Sequence, residues 1–438
     1  MKPLVLSLLK KIDELLAQNK ALLARFADLE ARASQPPKTP TNSSLPPSSG
    51  QKANVALSTA RKTGRKGGPG VARELCPIPD ATRDVYAECC ACGTALTPAD
   101  RPQIFAYDHI DLPPIKPITT RINLHRGQCP CCRKRVAASP PADMAPGSPF
   151  GPGIAPIVTY LHGCQMVSYS RMIEVLDGLF GLKLSEGAIA NMLARAAKPF
   201  AARSAEIADI VRNSPVVVSD ETSARAQGKT HWQWTFVAQT AVLHLIAPTE
   251  FLGDAKPKVW ISDRFAAQGH HAEAHQYCPA HLIRDAQYAI DAGDCVFAPA
   301  FKAFLPRACA VGRRRPDLAD ATIAKHARDL QRDLDRLLDL KPTQADGRHL
   351  RDTIQVTARD KLLVFLRRRD VEPTNNVSER ALRPAVIRKV TNGFRSGWRA
   401  KVYADLCSIV VTGRIQGRSP LAAIREALAP VSGRAVAA

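Results

Sequence analysis

The stretch SPVVVSDET, residues 214–222, sets three consecutive valines between a proline and a pair of acids. A β-branched run this short, entered from turn-forming residues, reads as a buried strand that ends on Asp220. Downstream, HWQWTFVAQ (231–239) and AVLHLIAP (241–248) are two more strands at hairpin spacing, and KVWISDRF (258–265) is a fourth, ending on Asp263. Upstream the period changes. IAPIVTYLHGC (154–164), SRMIEVLDGLFG (170–181) and the long segment 184–214 read as helices separated by glycine or serine breaks, with Ser185 placed to cap the last. Together they suit either a helix-turn-helix or a plain packed bundle. After Cys278-Pro-Ala-His281 the chain turns helical again to about Val371, with HARDLQRDLDRLLDL (326–340) as its clearest piece.

The next stretch, PTNNVSERALRPAVIRK (373–389), keeps one acid, Glu379, among Arg380, Arg383, Arg388 and Lys389. Read locally, Asn376 and Glu379 form a helix capping box, each satisfying a free backbone N–H of the first turn. Read with the strands, Glu379 is the third of three carboxylates. Asp220 and Asp263 each close a β-run, where a sheet holds them rigidly, and Glu379 starts a helix able to pack beside that sheet. Three such acids on a basic surface are what two-metal phosphoryl transfer requires: two Mg²⁺ (or Mn²⁺) ions per site, roughly 3.5–4 Å apart and held by carboxylates. The arginines, with Arg395 further on, would grip phosphates. Other acids fit less well. Glu221 falls on the opposite strand face from Asp220, and Glu372 precedes a proline and so lies outside the helix.

The whole chain supports an anionic partner. Its 438 residues carry a formal charge of +21, and the excess is clustered at Arg61-Lys62, Arg65-Lys66, 133–135, 313–315, 367–369 and through Arg380–Lys401. Clusters of this kind suit an extended polyanion, whose counterions they release, better than they suit solubility alone. No stretch approaches the roughly 18–20 apolar residues needed to span a bilayer, and the chain reads as cytosolic and nucleoid-associated. Its 12 cysteines then point to metal ligation or buried thiols. Cys89-x-x-Cys92 and Cys129-x-x-Cys132, separated by 36 residues, are two knuckles for one structural zinc ion, with a spacer suited to ribbon strands. At the N-terminus, Val5, Leu8, Ile12, Leu15, Asn19, Leu22, Phe26 and Leu29 form a heptad seam with one polar position, a device for homo-oligomerisation. Residues 34–50, SQPPKTPTNSSLPPSSG, then read as an extended linker without a core.

The ordered set SDET…HWQWTF…WISDRF…HQYCPAHLIRDAQYAIDAGD…PTNNVSERALRP…RKVTNGFRS resembles the transposases of the bacterial insertion-sequence-sixty-six family, and the zipper, the NSSLPPSS linker and the zinc knuckles resemble it in the same order. The resemblance implies an acidic-triad (DDE) transposase with a ribonuclease-H-like core, and carries the triad onto Asp220, Asp263 and Glu379. The family's C-x-x-H-x-x-R element matches Cys278, His281 and Arg284, for which a structural hydrogen-bonded role is the simpler reading. The expected fold class is multidomain α+β. Residues 1–34 form a coiled coil, 35–72 a linker, 73–142 a zinc-binding domain and 143–214 a helical DNA-binding candidate. Residues 215–395 form the catalytic core with a helical insertion at about 286–370, and 396–438 a C-terminal helical segment. The expected partners are double-stranded DNA (element terminal repeats and target), a second copy, and element-encoded accessory proteins. Two departures stand out: only TEFLGDAKP joins the third strand to the fourth, where a helical crossover is expected, and Arg399 follows Trp398 where a glycine is expected. A copy that binds DNA without cutting it, and a metal-dependent repair nuclease, are the competing readings.

Overall fold

The computed structural model describes residues 14–23, 25–26, 35–39, 41–43, 73–85, 91–95, 105–144, 146–248, 256–390 and 393–429, with Lys11 and Thr97 besides. The chain divides into two units, one of residues 1–51, 122–174 and 184–438, the other of residues 52–121 and 175–183.

Of the described residues between the knuckles, 105–125 belong to no strand, and the first strand, Arg126–Gln128, lies just before Cys129. The second unit is held by local contacts. The Cys76 N–H donates to the Asp108 carboxylate at 2.6 Å, and the rings of Phe105 and Tyr107 stack 5.9 Å apart.

The first unit opens its described structure with residues 14–23, which are helical with Leu15, Leu16, Leu22 and Leu23 exposed. The rest of the predicted seam, Val5, Leu8, Ile12 and Leu29, lies outside the described residues. Residues 37–39 and 41–43, read from sequence as part of an extended linker without a core, make specific turn contacts. The Thr39 N–H donates to Asn42 Oδ1 at 2.6 Å, and Asn42 Nδ2 donates to Asp291 Oδ2 at 2.9 Å, leaving Asn42 3% exposed. An asparagine side chain mimics a backbone turn, and here it also anchors the segment on the core.

Strands β1 (Arg126–Gln128) and β2 (Arg135–Ala137) pair antiparallel around the second knuckle. Helices α1 (Ile154–Thr159), α2 (Tyr169–Phe180) and α3 (Glu186–Arg212) follow, and Ser185 Oγ accepts from the Ala188 N–H at 3.2 Å as the cap of α3. Then comes the sheet: β3 (Val216–Ala226), β4 (Lys229–Val237), β5 (Val242–Ala247), β6 (Val259–Ser262) and β7 (Ala274–Tyr277), in the order β5-β4-β3-β6-β7. The β3-β4-β5 meander is antiparallel, and β6 and β7 run parallel to β3. Two expectations are corrected. Strand β3 does not stop at Asp220 but runs six residues further, because the hairpin with β4 pairs it to Ala226. The fifth strand, β7, was not anticipated; four residues with two histidines carry too little alternation to mark it. The short β5–β6 connection does not prevent the sheet from closing, since Val216, Val217 and Val218 pair with Val259, Trp260 and Ile261.

Helices cover both faces, which is why the valine run is apolar on both parities. On one face Val218 and Ile261 pack against α4 (Pro279–Asp291), α5 (Ala298–Arg314) and α6 (Asp320–Leu338), through Leu282, Phe297, Phe301, Phe304 and Leu334. On the other, Val217, Trp234, Phe236 and Trp260 meet Phe200 and Ile207 of α3. That assignment makes α3 a cover of the sheet. After α7 (Ala345–Thr353) come α8 (Asn376–Val390), α9 (Gly397–Ile415) and α10 (Pro420–Leu428). The C-terminal pair belongs to the same core. Thr412 Oγ1 on α9 accepts from the Val242 N–H at 2.9 Å, and Ser408 Oγ accepts from the His244 N–H at 2.8 Å, so hydroxyls occupy the open edge of β5.

Candidate active site

Asp220 lies on β3 two residues past Val218, and Asp263 lies just past β6, two residues beyond Ile261, the parallel partner of Val218. Parallel register therefore sets the two aspartates side by side. Glu379 is the fourth residue of α8, which packs on β3 and β4. The cap of this helix differs from the expectation by one residue: Asn375 O accepts from the Ser378 and Glu379 N–H groups at 3.0 and 3.2 Å, and Asn376 is already helical. The Asn375 carbonyl thus accepts the first intrahelical bonds, which makes Asn375 the residue just before the helix. The nearest partner of Glu379 is His281, with Nε2 3.9 Å from Oε1.

The electrostatics show the acids acting on one another. The carboxyl of Asp220 is pushed up to about 8, first by burial and then by the negative charges of Glu221, Asp263 and Glu379, against one bond from the Glu221 N–H at 3.0 Å. Burial holds the His281 imidazole below its usual value and Arg284 adds to this, while Asp263, Glu379 and Asp285 oppose it. Cys278, at the N-cap of α4, is 1% exposed, and burial pushes its thiol up to about 11 despite nearby backbone donors at Asn375, Ala280 and His281. Cys278 is therefore a packing residue that joins the start of α4 to the start of α8, and His281 is the member of the element that reaches the acids. Asp263 Oδ1 accepts from the Phe265 N–H at 2.9 Å, and Arg264 pairs with Asp285 of α4.

Three carboxylates offer hard oxygen donors, the set that Mg²⁺ or Mn²⁺ prefers. Among the described residues, no three His, Cys, Asp or Glu side chains are gathered closely enough to enclose a metal ion. The carboxyl of Asp220 is raised by its burial first and by the neighbouring acids second. The donor set fits a divalent cation.

The basic residues divide. Arg380, Arg383 and Arg395 are exposed. Arg388 is half-buried, its guanidinium 5.3 and 5.4 Å from the rings of Phe394 and Tyr403, so it turns inward instead of lining an open surface; the Lys389 side chain lies outside the described residues. The clusters at 313–315 and 367–369 are also corrected in part. Arg315 is 4% exposed and donates from Nη1 to the carbonyls of Phe365 and Arg368 at 2.6 and 3.0 Å, while Arg369 binds Asp320. Those charges brace the helical insertion, because a guanidinium fork can satisfy several carbonyls at once.

At the second knuckle the loop from Cys129 to Lys134 closes tightly. The Cys129 N–H donates to Lys134 O at 2.8 Å, the Arg133 N–H donates to Cys129 O at 2.9 Å, and Arg133 takes φ +56°. Backbone N–H groups of Cys132 and Cys131 hold the Cys129 thiol below its usual value, which favours the thiolate that zinc binds. Cys92 is exposed near Thr94, and Cys89 lies outside the described residues.

Sequence reading missed Gln268, whose side chain accepts from Trp260 Nε1 at 2.9 Å and donates to Glu221. That bond fixes Glu221 on the face away from Asp220; a lone glutamine in a short 3-10 turn gives no sequence signal for it. Comparison with known families matches residues 147–402, a span that includes all three acids, to the family described as Transposase IS66 family. No curated protein matches the chain.

Proposed function

Because this chain belongs to the IS66 family of transposases, we propose that it cleaves the ends of an insertion sequence and joins them to target DNA by phosphoryl transfer at Asp220, Asp263 and Glu379. One observation carries the reading: three acids from a central strand, its parallel neighbour and a covering helix bear on one buried carboxyl, that of Asp220. The strand order, an antiparallel meander continued by two parallel strands, supports a ribonuclease-H-like core. Two divalent cations held by the carboxylates would supply the Lewis acidity that activates the attacking oxygen and stabilises the leaving one.

The protein's own part is to hold and orient. The aspartates are fixed by strand register, and Glu379 is delivered by the capped start of α8. His281, half-buried, stands beside Glu379 with its Nε2 3.9 Å from Oε1. Exposed Arg380, Arg383 and Arg395 contact the DNA backbone. In the first step water attacks a phosphodiester at the element end, leaving a 3′-hydroxyl and a 5′-phosphate. In the second, that 3′-hydroxyl attacks a target phosphodiester in line and releases a target 3′-hydroxyl, so the number of phosphodiester bonds is conserved. The N-terminal seam brings two copies together, and Cys129 and Cys132 at the β1–β2 hairpin would hold a structural zinc ion.

The test is end cleavage by the full-length protein with Mg²⁺ or Mn²⁺ on a duplex carrying the flanking terminal repeat. Asp220→Asn and Glu379→Gln are expected to lose cutting by at least about a hundredfold, roughly 2.7 kcal/mol of barrier, while still binding DNA. Cutting at the wild-type rate in either variant would overturn the assignment.

A further inference from the structure

Beside the acids lies a cleft of about 490 Å³, walled by α4, by α7 and by the N-terminal segment that Asn42 fastens to Asp291. That volume is within the range of about 300–1,000 Å³ usual for a small-molecule site. The cleft adjoins the acids at two points. Arg264, the residue after Asp263, forms part of its wall. His281, Asp285 and Tyr288 follow at i, i+4 and i+7 along α4, a single stripe of that helix. The stripe starts at His281, 3.9 Å from Glu379, and reaches the cleft at Tyr288, about 10.5 Å further along the axis.

The lining is mixed. Tyr288 gives a half-buried ring and Leu350 a buried aliphatic wall. Arg264 is paired with Asp285, so those two charges offset one another. The Lys38 ammonium lies 6.0 Å from the Tyr288 ring, and the Asp346 carboxylate accepts from Gln344 Nε2 at 3.4 Å. With His349 uncharged, the cleft is formally neutral, and donors and acceptors surround an aromatic and apolar surface.

That lining selects among ligands. An anion would meet the carboxylates of Asp285 and Asp346, and an aliphatic ligand would take water from all the charges; both are costly. A nucleobase suits the cleft. It is planar and uncharged, it stacks on an aromatic ring, and its edge carries donors and acceptors together. Lys38 does not bar the ring, because 6.0 Å is at the limit of a cation–π contact and an exposed lysine on a flexible stem gives way readily.

We propose that this cleft takes one unstacked base of the DNA held at the acids, its plane against Tyr288 and its edge toward Arg264 and Asp346. The proposal rests on the transposase reading above. It sets the base near the reacting bond, since 10.5 Å is about three nucleotides at roughly 3.4 Å each. Phosphate contacts position a duplex without reading its sequence, whereas a base in the cleft ties the reacting bond to one nucleotide.

The test measures binding of the full-length protein, without added divalent metal, to duplexes carrying the flanking terminal repeat. Each duplex is fully paired or is mismatched at one of the three nucleotides on either side of the cleaved bond. A mismatch removes the unpairing cost beforehand, so at one position it should tighten wild-type binding about tenfold. Tyr288→Ala should lose that preference, and Tyr288→Phe, which keeps the ring, should retain it. No preference at any position overturns the site, as does a preference that survives Tyr288→Ala or is lost equally in Tyr288→Phe. A melting temperature raised by free adenosine monophosphate, with no mismatch preference, would give the cleft to a free nucleotide and overturn the DNA assignment. A wild type that binds neither duplex would overturn the site together with the transposase reading. Failure of the catalytic reading alone shows separately, as cleavage that survives Asp220→Asn.

Discussion

At the scale of the residue, the raised carboxyl of Asp220 makes a signed prediction. Its folded value of about 8 stands above the ordinary 3.8. In a chelator, the unfolded chain therefore gives up this proton first, and the native state loses stability as pH rises from about 4 towards 8. Asp220→Asn removes the penalty. Its melting temperature should exceed that of the wild type by a margin that grows from pH 5 to pH 8, and added Mg²⁺ should raise the wild type alone. A margin that does not change with pH would mean that neither burial nor the neighbouring acids raise this carboxyl. His281, read from sequence as a structural hydrogen-bonded histidine, is a neighbour of Glu379 in the fold. Its place in a C-x-x-H element gave the location; only the approach of the starts of α4 and α8 gave the partner.

At the scale of the element, hydroxyls on α9 finish a strand. Val242 and His244 present edge N–H groups that Thr412 and Ser408 satisfy. Thr412→Val keeps the shape and removes the bond, and should cost about 1–3 kcal/mol by leaving a buried N–H without a partner; chemical denaturation measures it. A second device is the NGF turn after α8, of which residues 393–394 are described. Gly393 takes φ +66°, and a Cβ there would stand 2.4 Å from Arg225 O, because the Phe394 N–H must reach that carbonyl at 2.8 Å. The knuckle hairpin β1–β2 carries the zinc prediction. Cys132→Ser should lose bound zinc by elemental analysis, and undiminished zinc in that variant would remove Cys132 from the ligand set.

At the scale of the molecule, Arg315 ties the helical insertion to the segment that leads to Glu379, one of the proposed catalytic acids. Arg315, at the end of α5, holds the carbonyls of Phe365 and Arg368 in the segment that leads to Asn375 and Glu379. Arg315→Ala strands those carbonyls and should cost about 3–5 kcal/mol. Cleavage should fall even where the protein stays folded, because the start of α8 loses its brace; a stability loss with unchanged cleavage would show that the insertion and the site are independent. The Asn42 turn works in the same direction. It fastens the N-terminal segment to Asp291 at the far end of α4, the helix whose first turn carries His281.

The sequence by itself determined the four principal strands and the family, and it named the three acids on which the proposed function rests. Valine runs, strand spacing and ordered motifs are local and periodic, so they survive without coordinates. The tertiary structure alone decided which charges face outward. Arg380 and Arg388 look alike in the chain, yet one is exposed and the other lies against Phe394 and Tyr403. Direction around a helix follows from its period, but what waits on each side depends on residues far away in sequence. The same is true of β7, of the Asn42 turn and of the Tyr288 cleft, each of which exists only where distant segments meet.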